Sequence, residues 1–445
     1  MELATQIFQF VLSISILVIL HELGHFLPAK YFKTKVEKFY LFFDPWFSLI
    51  KKKIGNTEYG IGWLPLGGYV KIAGMVDESM DTEQLKKPAQ PWEFRSKPAW
   101  QRLIIMLGGV IVNFFLAWLI YSCLSFFNGE TYHDNSKFEH GISVSPEAQK
   151  MGLKSGDKIL KIDGKPAERL ETSIMNMLFS NNITVLRDGK EVTFETAPEG
   201  VAEVLKTNGA KAYVSVRFPV VIDSLMTGSA KSAGLQKGDK IVGINGKSIL
   251  FFDELTSELN RFKNQNISLD YIRNNQPQKV DLMVSKEGIL GFYPNLLLGN
   301  EELKKARVTK EYSFVEAIPR GFTRTIDALT MQVKQFKIIF NSKTEGYKKV
   351  SGPIGIVKMM PKEFDWVAFW SFTAMFSVWL AFLNLLPIPG LDGGHVMFTL
   401  WEIITGKPVP QKVLENAQMI GVIFLMGLMI LIFGSDIYKA IAGKF

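Results

Sequence analysis

The chain is poor in cysteine, in histidine and in runs of like charge. Cys123 is its one cysteine, which excludes any intrachain disulfide, and its place in an apolar run reads as a small buried side chain. Only five histidines occur in 445 residues, so two of them within one five-residue pattern carry information. Arginine-rich tracts and basic residues interleaved with aromatics are missing, and the net charge of +8 is modest, which excludes nucleic acid as a partner. No Lys or Arg precedes Lys30, and no small-residue cleavage site follows the first apolar run before that point. That argues against a cleaved signal peptide, and the run is expected to stay in the protein.

Hydrophobic sequence is plentiful. With 47% hydrophobic residues and a mean hydropathy of +0.12, the composition points to an integral membrane protein with a substantial water-facing part. Four stretches are long and apolar enough to cross a bilayer: Ile7 to Leu27, Leu103 to Phe127, Trp366 to Leu386, and a weaker one from about Val413 to Phe433. Lys30, Lys33, Lys35 and Lys38 follow the first, while Arg95, Lys97 and Arg102 lead into the second. The positive-inside rule then places 28–102 in the cytoplasm, and the amino terminus and 128–365 on the other side.

The first span contains His21-Glu22-Leu23-Gly24-His25. Residues four apart share a helix face, so His21 and His25 can hold one metal ion with Glu22 beside it. The pattern suits zinc, which keeps an open position for water in catalytic sites, and Glu22 is placed as the general base. Ionisable residues inside a span are costly and mark function by default. Counted from Ile7, His21 lies about 21 Å along the span, inside the membrane but nearer its cytoplasmic face.

In the cytoplasmic segment, Tyr59 to Ile72 brackets Pro65 and the pair Gly67-Gly68 with apolar and aromatic residues. This reads as two short strands joined by a turn, either a membrane re-entrant hairpin beside the metal, about 58–73, or an ordinary surface hairpin. Between the second and third spans, Met151 to Lys165 is repeated as Ala233 to Lys247, each a turn, a strand of alternating apolar residues and an Asp-Gly or Asn-Gly turn. The repeat resembles the core of a PDZ domain and implies tandem copies at 128–211 and 212–295. Such domains capture peptides by adding a strand to a sheet edge; a steric, gating role is the alternative. Apolar residues at helical spacing from Ser313 to Phe340 predict an amphipathic helix within 296–365, lying on the outer membrane surface, over the active site or against the repeats.

A catalytic zinc needs a third protein ligand. The third span, 366–388, runs into Asn384-Leu385-Leu386-Pro387-Ile388-Pro389-Gly390-Leu391-Asp392-Gly393-Gly394-His395. Asp392 and His395 are both candidates, with Asp392 better placed between a proline-broken helix end and a Gly-Gly turn, in a loop at 389–412 before the fourth span at 413–434 and a tail at 435–445.

Taken together, HELGH in the first span, the Gly-Gly hairpin, the tandem repeats, Gly352-Pro353-Ile354-Gly355-Ile356 and Leu391-Asp392-Gly393 closely resemble the site-2 protease family of intramembrane zinc metalloproteases, and within it the RseP-like regulator-of-sigma-E proteases of bacteria. The resemblance covers essentially the whole chain. It implies one zinc held by His21, His25 and Asp392, with Glu22 as catalytic base. It also implies that Asn384, Pro387 and Pro389 help hold substrate, and that the hairpin at Gly67 and Gly68 presents an edge strand to it. Relatives of this kind often carry a second Asn earlier in the third span, where this chain has Trp379.

The fold class expected is therefore a polytopic α-helical membrane protein: four transmembrane helices, a re-entrant β-hairpin and two extracytoplasmic PDZ-like domains. The function expected is regulated intramembrane proteolysis of single-span proteins in the bacterial inner membrane, with the lipid bilayer as surroundings. Anti-sigma-factor-like proteins and remnant signal peptides are both candidate substrates, and the PDZ pair is a candidate size filter. A catalytically idle PDZ scaffold and a metal transporter are the competing classes; four spans with one polar site are few for a transporter.

Overall fold

A computed structural model describes residues 2–75, 87–207, 213–344, 346–350 and 352–441. The chain divides into two compact units, one of residues 1–129, 311–334 and 350–445, the other of 130–310 and 335–349.

The helices of the first unit are numbered along the chain: α1 (Glu2–Tyr31), α2 (Ala99–Asn128), α3 (Phe314–Ile339, whose last residues belong to the second unit), α4 (Pro353–Met359), α5 (Trp366–Leu385), α6 (Asp392–Thr405) and α7 (Gln411–Ile441). Among the described residues α1, α2, α5 and α7 are long and apolar enough to cross a membrane. Their association relies on small and polar side chains rather than on bulk hydrophobicity, as expected where the surroundings are themselves apolar. Gly24 of α1 and Gly108 of α2 bring the two backbones so close that a Cβ at Gly24 would sit 2.6 Å from the Gly108 carbonyl carbon. Ser13 meets Thr373 of α5 at 2.9 Å, and Ser377 of α5 donates to the Asn113 carbonyl of α2 at 2.7 Å.

Asp436 of α7 is fully buried and accepts the backbone N–H groups of Gly352, Ile354 and Gly355 at 3.0, 3.0 and 3.1 Å. A carboxylate inside an apolar helix is thus satisfied by the free N–H groups at the start of α4. Gln6 and Gln9 of α1 donate to the carbonyls of Met360 and Pro361 just beyond α4, so this short helix is tied to both the first and the last span.

Three readings from sequence need correction. Residues 389–412 form no simple loop, because Asp392–Thr405 is a 14-residue helix. Gly393 and Gly394 suggest a turn, yet here they let the helix start lie against residues 385–389: a Cβ on Gly394 would meet the Ile388 carbonyl at 2.8 Å. Nor do the limbs at 59–61 and 68–72 pair with each other. Both flank the same segment of strand β1 (Val36–Ile54), Tyr59 and Val70 lying on opposite sides of Phe39, and β2 (Thr57–Ile72) also pairs its first half with Ser48–Ile54. The limbs lie side by side in the order 48–54, 57–62, 38–41 and 68–72, so Lys38 to Leu41 is inside the sheet and the limb 68–72 occupies one edge. Cys123 is exposed rather than buried, on a helix long and apolar enough to cross a membrane.

The second unit contains two four-stranded sheets of matching order. In one, Lys165–Pro166, Lys158–Ile162, Asn182–Arg187 and Lys190–Glu195 lie side by side; in the other, Lys247–Ser248, Lys240–Ile244, Asn266–Arg273 and Gln276–Met283 do. Asp163-Gly164 and Asn245-Gly246, all with positive φ, make the tight turns that such pairs favour. Each copy also keeps one buried ion pair. Asp157 takes two bonds of 2.7 Å from Arg187, and Asp239 takes bonds of 2.7 and 2.6 Å from Arg273. Each arginine goes on to the carbonyl of Gly152 or Gly234, so both charges are fully bonded. The expected boundary between the copies, at 211 and 212, lies outside the described residues.

Candidate metal centre

Three side chains from the two ends of the chain converge in the first unit. His21 and His25 stand one turn apart on α1, and Asp392 opens α6. Asp392 Oδ2 lies 3.3 Å from His21 Nε2 and 3.2 Å from His25 Nε2, and the two Nε2 atoms are 3.3 Å apart. A tetrahedral centre bonded to three such atoms at about 2.0–2.1 Å needs them about 3.3 Å apart, so the triangle has the size of a zinc site. Two further observations fit a cation there. Asp392 Oδ2 is buried with no hydrogen-bond partner, and two unshared imidazole lone pairs otherwise face one another.

The surroundings hold the ligands in place. His25 Nδ1 is 2.8 Å from the Ile105 carbonyl, a contact that puts the proton on Nδ1 and leaves Nε2 free to bind. Gly109 of α2 lies under both rings: a Cβ there would be 2.5 Å from His25 Nε2 and 2.6 Å from His21 Nδ1. Only a residue without a side chain fits between α2 and the pair.

Glu22, half-buried beside the cluster, takes a hydrogen bond from the backbone of Val70 in the edge limb 68–72. Gly68 in the same limb packs on α1, where a Cβ would meet Val18 at 2.6 Å and Glu22 Cγ at 3.6 Å. Gly67 has φ +152° and turns beside the Phe43 ring, a backbone conformation that side chains rarely adopt. Asn384, at the end of α5, brings its amide nitrogen to 3.2 Å from His21 Nε2. Pro387 and Pro389 lie in the link from α5 to α6; there Gly390 N–H is held by Gln418 of α7 at 3.1 Å. His395 is not part of the ligand cluster. Trp379 packs against Phe376 with ring centroids 5.1 Å apart and planes tilted by 31°, its Nε1 buried and unpartnered.

Sequence reasoning missed Asn113, whose amide nitrogen is 3.2 Å from His21 Nδ1. A polar residue inside the apolar run of α2 was the available signal.

The model of peptidase family M50 matches residues 9–428. The chain belongs to that family. The peptidase is similar over nearly its whole length to several bacterial proteins. Regulator of sigma E protease of Haemophilus influenzae is 28% identical, covering 97% of this chain and 98% of its own. A Neisseria meningitidis serogroup A protein provisionally named a zinc metalloprotease has the same identity and coverage, and one so named from Borreliella burgdorferi is 28% identical over 94% of this chain and 95% of its own. The peptidase is thus a metalloprotease of the site-2 type, and with four spans it is a membrane protein.

Proposed function

We propose that this metalloprotease is an intramembrane zinc endopeptidase that cuts single-span membrane proteins within their spans. The observation that carries the reading is the meeting of two imidazoles, on a helix of membrane-crossing length, with the carboxylate that opens the short helix α6. His21, His25 and Asp392 would hold one zinc ion per chain. A zinc ion held there would supply Lewis acidity to the scissile carbonyl and to the attacking water. Glu22 takes the proton of that water and returns it to the departing amine.

A peptide bond in a membrane helix must be unwound before it is cut, and each backbone group freed in lipid costs several kcal/mol unless it is paired. The edge at 68–72 is offered as the partner strand, with the substrate joining the sheet as an added strand. The contact of Gly68 with Val18 and Glu22 supports a hairpin that reaches into the membrane beside the site, as do the exposed Trp46, Phe47, Leu49 and Ile50 in β1. Asn384 donates to a substrate carbonyl, and Pro387 and Pro389 keep the adjoining backbone out of a helix so that the substrate can lie along it.

By the positive-inside rule the protein sits in the bacterial inner membrane, with the PDZ-like pair outside the cytoplasm. There the pair admits substrates whose external domain has already been trimmed, such as anti-sigma-factor-like proteins or remnant signal peptides.

One assay tests the reading. The full-length protein in membranes is given a single-span substrate with a short external tail, and the cut is mapped. Scission inside the span that is lost with a chelator and restored by zinc is expected; scission only in the water-facing tail overturns the intramembrane assignment. Deleting 130–310 is expected to make substrates with a large external domain cleavable at the rate of short-tailed ones. Unchanged selectivity would remove the size filter and leave the chemistry standing.

A further inference from the structure

His21 is held differently from His25. An imidazole that binds a metal through Nε2 carries its proton on Nδ1, and that N–H needs an acceptor. For His25 the acceptor is the Ile105 carbonyl. For His21 the neighbour at Nδ1 is the Asn113 carboxamide, placed with its nitrogen toward the ring at 3.2 Å. In that arrangement two donors face each other, while Asn113 Oδ1 is buried with no partner. Asn113 is 0% exposed, so no bulk water relieves either group. Turning the carboxamide by half a turn exchanges oxygen and nitrogen with almost no change of shape. The oxygen then accepts from Nδ1–H, and the clash of two donors is removed.

We propose that Asn113 is a positioning residue: its side-chain oxygen accepts the His21 Nδ1 proton and fixes the tautomer that presents Nε2 to the metal. The inference rests on His21 being a ligand. Helix α2 then supplies both acceptors, a main-chain carbonyl for one histidine and a side chain for the other. The Asn113 backbone is itself pinned by Ser377 of α5, the helix that ends in Asn384. A shift of α5 is thereby felt at His21 without touching the metal.

The test measures zinc affinity of the purified full-length protein by competition with a chelator, alongside the melting temperature of the metal-free protein. Asn113→Leu, close in size but without an acceptor, is expected to bind zinc about tenfold to a hundredfold more weakly, with metal-free melting little changed. Asn113→Asp keeps an acceptor oxygen and is expected to stay within about threefold of the natural protein. If the leucine variant does not accumulate, Asn113→Ala takes its place with the same expected loss. Equal affinity of the Leu and natural proteins overturns the proposal, as does an Asp variant that loses as much as Leu. His21→Ala separates the two levels: if it too leaves zinc affinity unchanged, His21 is no ligand; if it alone weakens binding, only the role of Asn113 fails.

Discussion

Glu22→Gln is expected to lower intramembrane cleavage by about a thousandfold, within the range of 10²–10⁴ that general acid–base groups supply, while zinc stays bound. Glutamine keeps the length of the side chain and an oxygen that can still accept from Val70, so the packing of the edge limb against α1 is retained. His21, His25 and Asp392 are untouched, so metal content should match the natural protein. What is lost is the capacity to take a proton from water and give it to the amine. Single-turnover cleavage and zinc content, measured on the same membranes, check both halves. A Gln variant that cuts within tenfold of the natural rate would move the base elsewhere.

The second large effect is expected at a residue with no chemistry of its own. Gly109→Ala should reduce zinc content to below a tenth, because the new Cβ would lie 2.5 Å from His25 Nε2 and 2.6 Å from His21 Nδ1. Contacts that short require something to move. His25 cannot swing aside without giving up its bond to Ile105, and α2 cannot retreat without parting Gly24 from Gly108. Either movement opens the 3.2–3.3 Å triangle that binding depends on. Gly427→Ala, in α7 with open space where its Cβ would go, is the matched control and should keep its zinc. Metal analysis of both purified variants decides the matter: Gly109→Ala with full zinc would mean that α2 and the histidines do not meet as described.

The parts of this arrangement that local patterns encode were readable from sequence. His21 and His25 share a helix face by spacing alone, and the duplicated Gly-Asp strand and Asp-Gly or Asn-Gly turn repeats itself in the two matching sheets. What escaped depends on contacts between distant residues. Tyr59 and Val70 look like partners because they are close in sequence, yet each pairs with Phe39, a choice made by the sheet as a whole. Along the chain Asp392 is only modestly the better candidate over His395. Only the packing of Gly393 and Gly394 against the end of α5 sets where α6 begins, and so which of the two joins the histidines. Asn113 gave one polar letter in an apolar run, with nothing nearby to say what it faced.

The ligand set also orders events in time. His21 and His25 are made before Asp392, so during synthesis the first span carries two of the three candidate ligands. A growing chain can therefore neither close around its metal nor cut its neighbours until α5 has inserted and α6 has begun to fold. On the proposed function, cleavage is therefore expected only from chains long enough to bring Asp392 to the histidines.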